Sequence, residues 1–269
     1  MADMASSIAI ASGKGGVGKT SIAVNLGLTM ARLGRRTVLL DADFGMANAH
    51  ILIGANPKHY IADALQGGAN MQDVLCDAPY GMKFISGGSG LLEMLNIDKT
   101  TRYQAIRMVD EFRDETEVLI SDVPAGASDS SIAFVAAADR VVVVLVGEPT
   151  SFLDAYSLIK AAHLEAGVNN FSIVVNMASS VSEAQRHFEK FRDTATRFLD
   201  VSISYAGHLP LSERMRKSVV QRKPVSMEPA ELPENQAFMK ISKAILETPA
   251  NSHGGIRFFA DSEVMAAGT

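Results

Sequence analysis

The sequence predicts an α/β fold: a mainly parallel, twisted sheet with helices on both faces. Short apolar segments alternate with segments of helical periodicity, and a glycine-rich loop joins the first apolar segment to the first helical one. The chain has 269 residues, of which 47% are hydrophobic, so it can bury a large core as one domain. We therefore expect a single domain over residues 1–249, followed by a tail over residues 250–269.

The elements follow from the spacing of apolar residues. Residues 7–12 read as a buried strand, and residues 19–33 carry apolar side chains at helical spacing, with Gly34 as a stop signal. Later strands are predicted at residues 36–40, 117–120, 140–146, 171–175 and 202–205. Later helices are predicted at residues 151–166, 183–199, 212–220 and 233–246. Such alternation favours parallel strands joined by helical crossovers.

The loop between the first strand and the first helix is the strongest functional signal. It meets the phosphate-loop pattern with Gly13, Lys14, Gly15, Gly16, Val17, Gly18, Lys19 and Thr20, and Ser21 follows. Glycines let consecutive backbone amides point at one anion, and the helix N-terminus adds partial positive charge. Lys19 is predicted to hold the β- and γ-phosphates of a nucleotide, and the Thr20 hydroxyl to bind Mg²⁺. A glycine-rich turn with a surface lysine is the alternative.

Polar side chains follow three of the other predicted strands. Ligands of such sheets collect at the carboxyl ends of the strands, so Asp41, Asp43, Asp122 and Asn176 are site candidates. Asp122 is predicted to accept the Mg²⁺ hydration shell, with a strand-end turn cap as the alternative. Asp43 suits a carboxylate that orients or deprotonates the water attacking the γ-phosphate, with a solvated loop aspartate as the alternative. These assignments predict a nucleotide-driven switch.

Composition narrows the classes of protein. The formal net charge is −5, which argues against a generally basic nucleic-acid binder, although a local basic face would be hidden in that total. Cys76 is the only cysteine, so an intramolecular disulfide is excluded and an oxidising compartment is not indicated. The N-terminus lacks a signal-peptide pattern, and no apolar run reaches membrane-spanning length. We expect a cytoplasmic protein, neither secreted nor integral to a membrane.

The motifs together resemble a known family. GKGGVGKT, DADFGMAN at residues 41–48, DVPAG at residues 122–126 and VVNM at residues 174–177 look like the MinD/ParA group of deviant Walker-A ATPases, over nearly the whole chain. Strings at residues 148–160, 175–199 and 205–210 are similar to the MinD-like flagellar-number regulators called FlhG, FleN or YlxH. The resemblance implies a P-loop NTPase fold of the SIMIBI type. It also implies a protein that is monomeric with ADP and forms a face-to-face dimer around ATP.

The resemblance assigns residue roles as well. It implies that Lys14 is the signature lysine, which reaches phosphate oxygens of the nucleotide in the opposite subunit as an arginine finger does. Asp43 is implied as the water-activating residue and Asp41 as a residue near the Mg²⁺ shell. Asn176 is implied to read the adenine edge, and Pro210 to begin the second adenine-side loop.

Three departures from the family pattern bear on the site and on partners. Ser212 stands where relatives usually have an acidic residue, two positions after the proline. Gly147 stands where a proline commonly precedes the EPTS string. Only six residues precede the first predicted strand, so we do not expect the N-terminal segment through which such regulators stimulate the GTPase FlhF.

The resemblance implies ATP, ADP and Mg²⁺ as ligands, and a second copy of the chain and flagellar or polar regulatory proteins as partners. The helical surface at residues 151–160 is expected to present the nucleotide state to partners, with ordinary sheet-covering packing as the alternative. In the tail, Ile256, Phe259, Ala260 and Val264 share a face if the segment is helical. Such a face would allow a weak, dimer-dependent contact with a membrane. The alternative is a terminus that is frayed or packed into the core.

Other functions remain as alternatives. A basic cluster keeps open a partition ATPase that binds DNA, against a solvated helix face. Its members are Arg214, Arg216, Lys217, Arg222 and Lys223. Iron-protein reductases of this fold need two cysteines per subunit and iron–sulfur carriers usually a CxxC pair, so the lone Cys76 disfavours both. Asp43 disfavours a binding module without turnover. The prediction is a slow, dimer-dependent ATP hydrolase that controls flagellar number or placement through protein interactions.

Overall fold

A computed structural model describes residues 5–44, 47–88, 98–252 and 254–260 of the chain, and these residues form an α/β fold around one eight-stranded sheet. The strands are β1 (Ser6–Ala11), β2 (Thr37–Asp41), β3 (Cys76–Asp77), β4 (Lys83–Ser86), β5 (Val118–Asp122), β6 (Arg140–Leu145), β7 (Asn170–Ala178) and β8 (Ser202–Pro210). Their order is β3-β4-β2-β5-β1-β6-β7-β8, and only the edge strand β3 runs antiparallel to its neighbour. The predicted fold class is confirmed.

Helices connect the parallel strands. Those of the described ranges are α1 (Lys19–Arg32), α2 (Ala49–Ile53), α3 (Ile61–Leu65), α4 (Met71–Val74), α5 (Lys99–Met108), α6 (Asp129–Ala137), α7 (Pro149–Ala166), α8 (Val181–Ala195), α9 (Glu213–Val220) and α10 (Pro233–Glu247). Short 3₁₀ turns lie at Pro79–Gly81, Val109–Glu115 and Val225–Met227. Within the described ranges, no helix combines the length and the apolar character that crossing a membrane requires.

Two apolar cores cover the two faces of the sheet. Successive side chains of a strand point to opposite faces, so Ile8 and Ile10 enter one core while Ala9 and Ala11 enter the other. The first core is completed by α1 and α10, and the second by α5, α6, α7 and α8. Because both faces are covered, the strands carry nearly continuous apolar residues, as parallel strands do.

Every strand and helix predicted from the sequence is present, with end points shifted by a few residues. The region between β2 and β5 was not resolved into elements by the sequence pattern. It contains β3 and β4, the ten-residue helix α5, and the short helices α2, α3 and α4, which have only four or five residues each. Elements of one helical turn carry too few residues for a periodic signal.

The described part of the tail differs from the amphipathic helix considered above. Residues 256–260 are not helical, and Phe258 and Phe259 are only 2% and 6% exposed. Phe259 has a φ of 56°, and the Phe258 amide donates to the Ala137 carbonyl at the end of α6 at 2.9 Å. Two consecutive phenylalanines both reach the core, which a single helical face does not allow. Ile256, Phe259 and Ala260 therefore form no apolar stripe, and Val264 lies outside the described residues.

Candidate nucleotide-binding site

The glycine-rich loop lies at the carboxyl end of β1, the central position of the sheet, with β5 on one side and β6 on the other. Gly16 and Gly18 have φ values of 81° and 88°, in the region that favours glycine. Gly15 and Gly16 are exposed, and a Cβ added to either would meet no atom within 4 Å. The loop is therefore open on the side where α1 presents its N-terminus, the arrangement that suits a phosphate group.

The start of the loop packs against α7. A Cβ at Gly13 would lie 2.0 Å from the Asp154 carbonyl carbon, so only glycine allows the two backbones to approach. The buried Val17 anchors the middle of the loop in the core. A displacement of the loop would thus be transmitted to the segment of α7 that the sequence singled out as a surface for partners.

Lys19 and Asp122 form a buried ion pair beneath the loop. The Lys19 ammonium lies 2.5 Å from Asp122 Oδ1, and the Thr20 hydroxyl interacts with the same carboxylate. Burial raises the pKa of Asp122, while Lys19 and Thr20 counteract that rise. The predicted phosphate-binding lysine and two of the three residues predicted for the Mg²⁺ site, Thr20 and Asp122, are therefore brought together at one point.

Asp41, at the end of β2, joins this group and organises the loop that follows it. Its Oδ2 accepts the amides of Asn48 and Ala49 at 2.9 Å each, and its Oδ1 accepts the Asp43 amide at 3.2 Å. Burial, and next the charge of Asp122, raise the pKa of Asp41 to about 7. A divalent cation beside the two carboxylates would favour their ionised forms.

The donors suit Mg²⁺ rather than a metal held wholly by protein. Within the described residues, no three His, Cys, Asp or Glu side chains converge into a metal cage. Mg²⁺ usually binds through one or two carboxylates together with substrate phosphates and waters. The hydroxyl of Thr20 and the oxygens of Asp122 and Asp41 fit that mode of binding.

Asp43 lies half-buried just beyond Asp41 and interacts electrostatically with Asp122. It is therefore within the same charged group as Lys19, the predicted phosphate-binding lysine. Of the DADFGMAN segment, Gly45 and Met46 lie outside the described residues.

Lys14 contacts α7 of its own subunit. Its ammonium lies 2.7 Å from Glu148 Oε2 and 3.1 Å from Thr150 Oγ1. This contact was not predicted from the sequence, although both partners lie in the EPTS string. The string gave no indication of which loop it would face.

Asn176, at the carboxyl end of β7, is tied to the loop. Its Nδ2 donates to the Val17 carbonyl at 2.8 Å, and a Cβ at Gly18 would lie 2.5 Å from the same nitrogen. Pro210 ends β8 and pairs with Ala178 of β7, so it is located at the same edge of the sheet. Asn176 thus links the phosphate side of the site to the strand ends where a base would be expected.

The Ser212 departure has a structural explanation. Ser212 caps α9, accepting the amides of Arg214 at 3.1 Å and Met215 at 3.4 Å, and its hydroxyl donates to Glu234 Oε1. Glu234 is buried and comes from α10. A carboxylate is therefore present next to position 212, but it is supplied from 22 residues further along the chain.

Gly147 has a local reason as well. A Cβ at this position would lie 2.5 Å from the His187 ring nitrogen, so any larger residue would have to displace the His187 ring.

Comparisons with known proteins agree with this geometry. A ParA family model, described as NUBPL iron-transfer P-loop NTPase, matches residues 3–246. The chain is 38% identical over 264 residues to the antiactivator FleN of Pseudomonas aeruginosa, covering 97% of this chain and 94% of FleN. It is 31% identical over 224 residues to the flagellum site-determining protein YlxH of Helicobacter pylori, covering 80% of this chain and 73% of YlxH.

The fold is also found among solved structures. A chain of the MinC:MinD cell division protein complex of Aquifex aeolicus matches with a TM-score of 0.75 at 22% identity, covering 93% of this chain and 100% of that one. The resemblance to the MinD/ParA group is thereby confirmed, and the chain belongs to the ParA family of P-loop NTPases.

Proposed function

We propose that the chain is a regulatory ATPase. It binds ATP with Mg²⁺, dimerises on it and hydrolyses it slowly to ADP and phosphate, and so switches protein interactions that control flagellar number or placement. One observation carries the proposal: Lys19, Thr20 and Asp122 converge beneath an open glycine-rich loop, with Asp41 and Asp43 beside them.

Nucleotide binding follows from the loop. Its amides and the N-terminus of α1 would hold the phosphates, and Lys19 would exchange the Asp122 carboxylate for phosphate oxygens. Asp122 would then be free for the hydration shell of Mg²⁺, with Thr20 as a direct ligand and Asp41 nearby. When bound, Mg²⁺ supplies positive charge to the β- and γ-phosphate oxygens. Asn176 and Pro210 would lie on the base side of the nucleotide.

Hydrolysis depends on Asp43. A carboxylate close to the Lys19–Asp122 pair can accept a hydrogen bond from a water that attacks the γ-phosphate and orient it in line. A group that only positions the attacking water gives a modest rate of ATP hydrolysis. The rate rises when further positive charge stabilises the ADP leaving group. That additional charge would come from Lys14 of a second subunit, which makes turnover dimer-dependent.

The proposed control of flagellar number or placement is inferred from the relatives. One is an antiactivator and another a flagellum site-determining protein, and both match most of this chain. Residues 151–160 of α7 are suited to signalling, because Asp154 touches Gly13 through its backbone while Leu153 is 66% exposed. We expect the protein to act in the cytoplasm or at the cell pole, through flagellar or polar regulatory proteins.

DNA partitioning is the second function to test. The basic cluster of α9 and the turn after it favours this function, but acidic neighbours reduce its charge. Arg216 pairs with Glu213 at 3.7 Å, and Lys223 pairs with Glu228 at 3.1 Å. Contacts with phosphate backbones require several free cations along one face, so we favour protein partners over DNA.

The proposal is tested with phosphate release and flagellar counts. Purified protein should hydrolyse ATP in a Mg²⁺-dependent way, and Asp43→Ala should lower the rate at least about tenfold while nucleotide binding persists. In the host, replacing the chromosomal copy with Lys14→Ala should change the number or position of flagella seen by electron microscopy. Unchanged turnover in Asp43→Ala contradicts the water-activating role. Unchanged flagella contradict the cellular output.

Cosedimentation separates the alternatives. Protein with ADP, with ATP or without nucleotide is centrifuged with plasmid DNA or with liposomes of phosphatidylglycerol and phosphatidylethanolamine. Pelleting with DNA only in ATP supports partitioning, and pelleting with liposomes only in ATP supports a membrane-associated switch. Pelleting with neither supports a switch that acts through proteins alone.

A further inference from the structure

Three phenylalanine rings connect the loop that carries Asp43 to the C-terminal segment. The Phe44 ring centroid lies 5.8 Å from that of Phe134 in α6, and Phe134 lies 6.3 Å from Phe258. All three side chains are buried, with exposures of 3%, 0% and 2%. Aromatic pairs at these separations attract one another beyond the burial of their area. The rings therefore form one continuous packed row.

The far end of the row is firmly held. The Phe259 amide donates to Asp110 Oδ1 at 2.8 Å, and the Arg257 guanidinium pairs with the Asp139 carboxylate. Asp139 in turn accepts the amide and the hydroxyl of Ser7 at 2.8 Å each, at the start of β1. Residues 257–259 are thus fixed to the base of the sheet from two sides.

The near end of the row is confined against the strand beside β2. A Cβ at Gly88 would lie 2.1 Å from the Phe44 carbonyl oxygen, and the Gly87 amide donates to the Asp41 carbonyl at 2.8 Å. Phe44 therefore lies between the end of β4 and Phe134. Its position fixes that of Asp43, the preceding residue.

The middle of the row belongs to α6, and the segment that leads into this helix bonds to the residue just before the glycine-rich loop. Ser128 caps α6 by accepting the Ser131 amide, and just before it the Gly126 amide donates to the Ser12 carbonyl at 2.9 Å. Phe134 therefore lies in α6. This helix follows the loop of Asp122, and the carbonyl of its last residue, Ala137, accepts the Phe258 amide. A shift of α6 would move Phe44.

We propose that Phe258 is a positioning residue for ATP hydrolysis: through Phe134 it holds Phe44, and thereby keeps Asp43 in place beside Asp122 and Lys19. The inference rests on the proposed ATPase function and on the role of Asp43 in it. Phe258 is buried and reaches the Asp43 loop only through Phe134 and Phe44, so its loss should alter turnover more than nucleotide binding. A displacement of about 1 Å at a catalytic group can lower a rate by up to about a hundredfold.

The test compares Phe258→Ala and Phe258→Leu with Phe188→Ala in the full-length protein. Phe188 of α8 is also buried, and its ring centroid lies 5.0 Å from that of Tyr205. Phe188→Ala therefore removes a buried aromatic ring of the same size that is not part of this row. Thermal unfolding is measured for each variant to confirm folding. We expect Phe258→Ala to lower kcat about tenfold with KM changed less than about twofold. Phe258→Leu should restore most of kcat, because an apolar side chain still supports Phe134.

Amide hydrogen exchange provides a readout that does not require turnover. In nucleotide-free protein, exchange of residues 40–44 should be at least about fivefold faster in Phe258→Ala than in the wild type, and unchanged in Phe188→Ala. If the wild type does not hydrolyse ATP, the proposed function is contradicted. The exchange rates still show whether Phe258 holds the loop that carries Asp43. The proposal is overturned if Phe258→Ala and Phe188→Ala change the exchange rate and kcat equally. It is also overturned if neither substitution changes them. If Phe258→Ala does not fold, Phe258→Leu is judged by the same comparison.

Discussion

The Lys14 ammonium lies 2.7 Å from Glu148 Oε2, so the lysine that would complete a second subunit's site is bound within its own subunit. Glu148 immediately precedes α7, and the Thr150 hydroxyl adds a second contact at 3.1 Å. The two charged side chains are 31% and 63% exposed, and exposed ion pairs contribute only about 0–1 kcal/mol. Lys14 can therefore leave Glu148 at small cost.

Glu148→Gln should strengthen the ATP-bound dimer. The substitution removes the charge that competes with phosphate for Lys14 and keeps the shape of the side chain. A contribution of up to about 1 kcal/mol corresponds to a dimer dissociation constant lowered by about twofold to fivefold. Sedimentation velocity over a range of protein concentrations, with Mg²⁺ and a non-hydrolysable ATP analogue, measures it. A weaker dimer would show instead that Glu148 positions Lys14 for its work.

Asp122→Asn should both destabilise the nucleotide-free protein and abolish the Mg²⁺ dependence of nucleotide binding. The buried Lys19 ammonium loses its charged partner, which we expect to cost about 1–3 kcal/mol of unfolding free energy. Urea denaturation measures the first effect, and calorimetric titration of ADP with and without Mg²⁺ measures the second. Asp129→Asn, an exposed carboxylate in the same loop-to-helix region, is the control. Retained Mg²⁺ dependence in Asp122→Asn would remove Asp122 from the metal site.

Two glycines of the loop make a matched pair. Gly13→Ala places a methyl group 2.0 Å from the Asp154 carbonyl carbon, so we expect at least about 2 kcal/mol of destabilisation and weaker nucleotide binding. Gly15→Ala meets no atom within 4 Å, and its unfolding free energy should stay within about 0.5 kcal/mol of the wild type. Urea denaturation of the nucleotide-free proteins compares them. Equal losses in the two variants would contradict the close contact between loop and α7.

Neutral His208 contributes stability that should be lost as the pH drops, while Asp41, whose pKa is raised to about 7, acts in the opposite direction over the same range. Burial first, and then the charge of Lys240, lower the pKa of this imidazole below 6.5. The unfolded chain therefore binds the proton more readily, and the stability contributed by neutral His208 is lost as the pH falls through about 6.5. Relative to the wild type, His208→Gln should gain stability as the pH falls from 7.5 to 5.5, by less than the limit of about 1.4 kcal/mol per pH unit for one proton. Thermal unfolding across that range measures it, and an unchanged slope would assign the effect to other groups.

Much of the site could be predicted from the sequence because its residues lie in a recognisable loop or at strand ends, which parallel strands bring to one edge of the sheet even across long sequence separations. The glycine spacing fixed the positions of Lys19 and Thr20, and a strand followed directly by Asp122 located the carboxylate that they meet. Parallel strands end at one edge, so Asp41 and Asn176 were expected to lie near the same loop.

The remaining features depend on contacts that neither a motif nor a strand end marks. Lys14 and Glu148 are separated by 134 positions, and Ser212 meets Glu234 across 22. No local periodicity encodes which loop another loop will face. Phe258 and Phe259 show a different cause: their spacing fitted one face of a helix only in part, and packing against Ala137 and Asp110 determined their conformation. Tertiary burial took precedence over helical propensity there.

We propose that Lys14 makes completion of the site depend on a second copy of the chain. Sedimentation velocity with Mg²⁺ and ATP in an Asp43→Ala background, which preserves the bound ATP, tests it directly. We expect dimers with ATP, monomers with ADP, and monomers in both nucleotides once Lys14→Ala is added, although ATP binding persists. Dimers of normal affinity in the Lys14→Ala protein, or monomers with ATP in the Asp43→Ala protein, would contradict it.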